Sequence, residues 1–280
     1  MSQGLYPLLT FLKFVLIKVI KHYIMKKSLL DSSVPFLRSM ILFIIFLYFN
    51  NTQAFAQTNF EKDIIKTSAG DLGITFIGHG SLMLTFQDKV IHIDPFSSIG
   101  EYTSLPKADL ILVTHEHGDH LDLNALVILK KPSTEIVISE KCLPSVSGGI
   151  VMHNGDTRLF GSIKIEAVPA YNLVNGPAEG KVFHPKGQGN GYVLTVGDKR
   201  IYIAGDTENT PEMKALQNID IAFLPMNLPY TMTPEMVADA AKAFKPKILY
   251  PYHFGDTDTK KIQELLKENK EIEIRIRKMN

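Results

Sequence analysis

Directly after the apolar run Leu110-Ile111-Leu112-Val113, the chain places three histidines and two acids in six residues, His115-Glu116-His117-Gly118-Asp119-His120. So dense a polar group is costly to desolvate unless it binds something. A buried strand that empties into such a loop therefore calls for a fold that collects ligands at its strand ends. Imidazole suits zinc, iron and nickel, and an added carboxylate makes a site able to hold zinc and activate water. In an extended or turning segment His115 and His117 can face one ion. Past the bend that Gly118 allows, Asp119 and His120 can reach a second.

One loop supplies too few donors for two cations, so other strand ends must contribute. Tyr202-Ile203-Ala204-Gly205-Asp206-Thr207 ends an apolar run in a glycine and an acid, where Asp206 could bridge two ions. Leu249-Tyr250-Pro251-Tyr252-His253 ends another in a histidine. Alone, the first reads as an ordinary turn and the second stands open between a ligand and a structural histidine. Both following the cluster, each at a strand end, fit the way layered α/β folds gather ligands.

The N-terminus has the order of an export signal. From Met25 there is a basic start (Lys26, Lys27, Arg38), an apolar run from Met40 to Phe49, and a polar stretch ending Ala54-Phe55-Ala56. That run is shorter than the roughly 20 residues a membrane span needs, and small residues stand where a signal peptidase cuts. Residues 25–56 are expected to be a signal peptide cleaved near Ala56, and the mature form to have no membrane segment. Residues 1–24 are a leader of uncertain status, and Met25 is the expected start. The protein is then exported, periplasmic or secreted, with one domain over residues 57–280.

The whole chain carries 30 Lys/Arg and 29 Asp/Glu. Six of the bases and one acid fall in residues 1–56, so the expected mature domain is mildly acidic. Nucleic-acid binding needs a clustered positive footprint; none is visible, and a small-molecule substrate is expected instead. The single cysteine, Cys142, can form no internal disulfide and reads as a small hydrophobe. Oligomeric state is open.

Short alternating or apolar runs predict strands over residues 73–78, 81–86, 89–93, 109–114, 135–139, 163–168, 191–196 and 200–204. A helix is expected over 121–129. Helices over 211–217, 234–244 and 258–268 then alternate with strands over 219–224, 247–250 and 271–277. Thr233-Pro234 supplies a helix cap and first-turn proline. Strand-rich and helix-containing stretches in one domain suggest an α/β fold of two sheets packed face to face with helices outside. The Gly187-Gln188-Gly189-Asn190-Gly191 stretch precedes a strand and not a helix, so it reads as a flexible loop rather than a phosphate loop.

Asp94 in His92-Ile93-Asp94-Pro95-Phe96, the His-x-His-x-Asp-His cluster, Gly205-Asp206-Thr207 and Pro251-Tyr252-His253 together resemble the ordered motifs of the metallo-β-lactamase superfamily. With Gly78-His79-Gly80-Ser81 and Tyr230-Thr231-Met232-Thr233-Pro234-Glu235, the pattern is similar to the branch of zinc-dependent hydrolases related to ascorbate-6-phosphate lactonase and to the phospholipase D that cleaves N-acylphosphatidylethanolamine. The resemblance implies a four-layer αββα sandwich. It also implies His115 and His117 on a first metal, Asp119, His120 and His253 on a second, and Asp206 bridging. Two zinc ions are expected, with iron or manganese as alternatives.

One departure concerns the first metal. The superfamily usually places a further histidine after a mid-domain strand, where this chain reads Val168-Pro169-Ala170-Tyr171-Asn172. His184, in Phe183-His184-Pro185, is expected to replace it; if it does not, a mononuclear site follows. His79 and Asn172 are expected to line the site or lie just outside its ligands, and Asp94 to orient a ligand imidazole, a kind of contact that strongly affects affinity. His92 and His153 read as structural. The expected reaction is hydrolysis of an ester, lactone or phosphodiester-type bond by metal-activated water, with Asp119 handling the proton. Rival readings are an iron-dependent oxidoreductase of the sulfur dioxygenase kind and a non-catalytic metal-binding protein.

Overall fold

Turn signals at short intervals fold the first part of the domain back on itself. The computed structural model describes residues 60–279; the expected leader, signal peptide and cleavage position lie outside the described residues. Strands β1 (Glu61–Thr67), β2 (Gly70–Gly78), β3 (Ser81–Phe86) and β4 (Lys89–Ile93) form an antiparallel meander. Strands β5 (Leu110–Leu112), β6 (Glu135–Ile138) and β7 (Ile150–Val151) then add in parallel, completing one seven-stranded sheet.

The second sheet repeats this plan. Strands β8 (Thr157–Phe160), β9 (Ile163–Ala170), β10 (Gly189–Val196) and β11 (Lys199–Ile203) are antiparallel neighbours. Parallel strands β12 (Ile221–Pro225), β13 (Ile248–Tyr252) and β14 (Glu273–Ile274) follow. Parallel neighbours need crossovers, and four helices lie in them: α1 (Leu123–Leu129) between β5 and β6, α2 (Pro211–Lys214), α3 (Pro234–Phe244) and α4 (Lys260–Leu265) in the second half.

Side-chain alternation assigns the layers. Leu110 and Leu112 of β5 join Ile74, Leu84, Ile165 and Leu194 in the core shared by both sheets. Ile111 and Val113 face the other way, onto Leu126 and Leu129 of α1. On the second sheet, Tyr202 meets Phe244 of α3 edge to face, with ring centroids 6.1 Å apart. The order helix, sheet, sheet, helix is the expected four-layer sandwich. Helix α3 starts where its cap predicts: the Thr233 side chain accepts from Met236 N.

Several expectations change. Strands β1, β7 and β8 were not foreseen; β1 is strongly charged, β8 is only four residues long and β7 only two. The C-terminal strand shrinks from 271–277 to Glu273–Ile274, because the chain then leaves the sheet and Arg275 and Arg277 pair with Asp63 of β1. The helices expected over 211–217 and 258–268 are also shorter. The supposed flexible loop at 187–191 is largely strand: Gly189, Asn190 and Gly191 pair with Ala170, Pro169 and Val168. A Cβ at Gly191 would lie 2.9 Å from the Ala204 carbonyl oxygen, so glycine serves close strand approach there. His92 is buried with Nε2 3.1 Å from the Pro106 carbonyl, Cys142 is buried, and His153 is exposed.

Candidate metal centre

Strands β4, β5, β9, β11 and β13 release their chains at one edge of the sandwich. Asp94 follows β4, the histidine cluster follows β5, Asn172 follows β9, Asp206 follows β11 and His253 follows β13. Asp94 shares strand parity with His92, yet its left-handed backbone, φ 43°, turns it away from the regular strand course.

Three groupings emerge. His115, His117 and His184 bring one nitrogen each within 4.8 Å of one another; so do the donors of His79, Asp119, His120 and His253, and those of His115, His120 and Asp206. His184 Nε2 lies 3.2 Å from His117 Nδ1 and 3.5 Å from Asp206 Oδ2. The other oxygen, Asp206 Oδ1, lies 3.4 Å from His120 Nε2 and 3.5 Å from His253 Nε2. Asp119 Oδ2 is 3.9 Å and 3.8 Å from the same two nitrogens. The two oxygens of Asp206 thus face two different donor sets. All seven residues expected as ligands are brought together.

Outer contacts aim these donors. Asp94 is buried and accepts from Thr114 N (2.7 Å), Thr114 Oγ1 (2.7 Å) and His120 Nδ1 (2.8 Å). Since Thr114 Oγ1 spends its proton on Asp94, it accepts from His115 Nδ1 at 3.0 Å. Both rings therefore turn Nε2 inward. His79 reaches Asp119 Oδ2 at 2.9 Å, and its ring centroid is 3.7 Å from that of His253. A Cβ at Gly80 would sit 2.9 Å from His120 Cε1, so only glycine lets β2–β3 pass this closely.

Among the described residues, the Nε2 atoms of His115, His120 and His253 and Oδ1 of Asp206 are buried without a hydrogen-bond partner. Such atoms are costly unless something binds them, and convergent imidazoles around a two-sided carboxylate fit a pair of divalent cations. Burial favours a neutral His120, but Asp206, Asp94 and Asp119 outweigh it and push the ring up to about 9. Burial also opposes ionisation of Asp206, yet the surrounding imidazoles hold its carboxyl below the usual range. For Asp119 burial is again overcome, by contacts to His253 and His79, and the group is held well below the carboxylate range. Burial, then His120, lowers His115. Burial also lowers His184, with Asp206 opposing it.

The sequence reading had no role for Thr114 or Glu208. Thr114 sits beside the cluster and could have been noticed as a hydroxyl between a strand and two ligands. Glu208 has no local signal; its contacts come from the loop after β9.

A family profile described as the beta-lactamase superfamily domain matches residues 73–253, from β2 to the histidine that ends β13. The chain belongs to the metallo-β-lactamase superfamily. Among its relatives is a metal-dependent hydrolase of Pelotomaculum thermopropionicum, 32% identical over 194 residues, which are 65% of this chain and 84% of the relative. A Parabacteroides distasonis crystal structure assigned as a metal-dependent hydrolase is 52% identical with TM-score 0.75, covering 79% of this chain and all of the other. The superfamily fold also extends to CmlA, a diiron β-hydroxylase of Streptomyces venezuelae, at 16% identity and TM-score 0.58, over 76% of this chain and 54% of that one. That last likeness is one of fold alone.

Proposed function

We propose that this protein is an exported dinuclear zinc hydrolase that cleaves an ester, lactone or phosphodiester-type bond in a small molecule. The observation that carries this reading is Asp206, whose two oxygens face two separate sets of imidazole nitrogens, His184 on one side and, on the other, His120 and His253, whose Nε2 atoms are buried without a hydrogen-bond partner. His115, His117 and His184 would hold the first ion, Asp119, His120 and His253 the second, with Asp206 shared. Two cations held there would supply Lewis acidity and would lower the pKa of a bound water from about 16 to about 7.

The chain's own groups do the rest. Asp119 has a side chain 38% exposed against 5% for Asp206, so it is the carboxylate of the set that reaches solvent. Asp119 would carry a proton between the attacking water and the leaving group through Oδ1, while its Oδ2 belongs to the donor set of the second ion. His79 Nε2, 2.9 Å away, keeps that oxygen oriented. Asp94 and Thr114 lock the rings of His120 and His115, so little reorganisation accompanies the reaction. The relatives named as metal-dependent hydrolases support the reaction class.

The test is a panel of lactone, phosphodiester and β-lactam substrates with the zinc-loaded mature protein, beside metal analysis of protein purified without added metal. About two zinc ions per chain and turnover on one substrate class are expected. Imidazole and carboxylate donors also suit iron; a full iron complement with no zinc and no hydrolysis would replace this reading with an oxidative one.

A further inference from the structure

Two residues beyond Asp206, the carboxylate of Glu208 is buried under the loop that follows β9. It accepts from Leu173 N at 3.0 Å, from Val174 N at 3.2 and 3.3 Å to its two oxygens, and from Asn175 N at 2.6 Å. It also accepts from Asn172 Nδ2 at 3.2 Å, while the Tyr230 carbonyl accepts from the same nitrogen at 2.8 Å. Two acceptors facing one end of the Asn172 side chain identify that end as the NH2 group. The other end, Oδ1, therefore faces His184 Nδ1 at 2.5 Å. An amide oxygen can only accept, so the proton sits on His184 Nδ1. The Nε2 lone pair is left pointing toward His117 and Asp206.

We propose that Asn172 and Glu208 are positioning residues for the first metal: Glu208 fixes which way the Asn172 amide faces, and Asn172 fixes the His184 tautomer that ligates. This rests on reading the cluster as a metal centre. Asn172 stands where the superfamily resemblance expects a histidine ligand. Here the ligand role passes to a ring 12 residues onward, and Asn172 becomes its outer partner. One short segment, Asp206 to Glu208, thereby supplies a donor to the metals and anchors the loop that orients another. Backbone pairing of Asn172 N with the His184 carbonyl, 2.8 Å, holds the two residues side by side.

The test uses zinc and cobalt(II) titrations of the metal-stripped protein against a chromophoric chelator, for wild type, Asn172→Leu and Glu208→Gln. Asn172→Leu is expected to weaken the first metal about 10- to 100-fold and leave the second within about twofold. Glu208→Gln should shift the first metal in the same direction by less. Nitrogen-15 NMR of metal-stripped wild type should show His184 protonated at Nδ1. An Nε2-protonated His184 in that spectrum, or wild-type affinity at both positions in folded Asn172→Leu, overturns the proposal. A folded Glu208→Gln with unchanged first-metal affinity removes Glu208 from it; should that variant not fold, the Asn172→Leu titration and the wild-type spectrum decide. Failure of wild type to bind any divalent cation would instead sink the metal-centre reading itself.

Discussion

His79 Nε2 lies 2.9 Å from Asp119 Oδ2, and the two come from turns 40 residues apart, after β2 and after β5. The contact joins the most solvent-open carboxylate of the site to a ring that also lies against His253. Replacing Asp119 with Asn keeps its shape while removing a proton acceptor. Turnover on the identified substrate is expected to fall at least about 100-fold, with the thermal midpoint of the metal-free protein nearly unchanged because the side chain is partly exposed. His79→Gln should cost less. An Asp119→Asn enzyme of wild-type kcat would refute the assigned proton role.

Metal binding should release a proton from His120. Asp206, Asp94 and Asp119 hold this ring protonated up to about pH 9 in the metal-free site. A cation must displace that proton from Nε2, so affinity falls as pH drops below about 9, by about tenfold per unit for each proton released. Calorimetry at pH 7.5 in buffers of different ionisation enthalpy should report at least one proton released per chain loaded. A count of zero would contradict this, as would pH-independent affinity between pH 6 and 8.

Acid should destabilise the domain partly through His92. Burial on β4 depresses this ring from 6.5 to about 4, so between those values the unfolded chain takes up a proton that the folded one does not. Stability therefore falls as pH drops from 6.5 toward 4, by about 3 kcal/mol in all. Urea denaturation of wild type and His92→Gln across pH 4–7 measures it. The variant's profile should be flatter; parallel profiles would assign the loss elsewhere.

Asp63 ties β1 to the chain's end. Its carboxylate accepts from Tyr250 Oη, from Arg277 Nη2 at 2.7 Å and from Arg275 Nη1 at 3.3 Å. Burial would raise its pKa, but Arg277 and Tyr250 outweigh that and hold it low. Being depressed, the group stabilises above its unfolded value of 3.8, and that contribution is lost as pH falls through the folded value. Asp63→Asn should cost about 2 kcal/mol at pH 7 and less at pH 3, by urea midpoints. An equal cost at both would show that packing, not charge, is at work.

Reading the chain alone was sufficient for whatever is encoded locally. A strand that ends in His-x-His-x-Asp-His orients its own donors, because a few consecutive dihedrals suffice to turn them to one side. Strand ends carrying Asp206 and His253 were likewise visible as apolar runs stopping at a polar residue. Charged strands such as β1 escaped notice, since the pairing that makes them strands is supplied by β2 and not by their own pattern. That His184 reaches His117 from 67 residues away, that the Asn172 amide faces the His184 ring, and that Glu208 receives the backbone of the loop after β9 were visible only in the tertiary structure. Each depends on which atoms the packed sheets bring within 3 Å or so, and hydrogen-bond distance between remote loops leaves no mark in the order of residues.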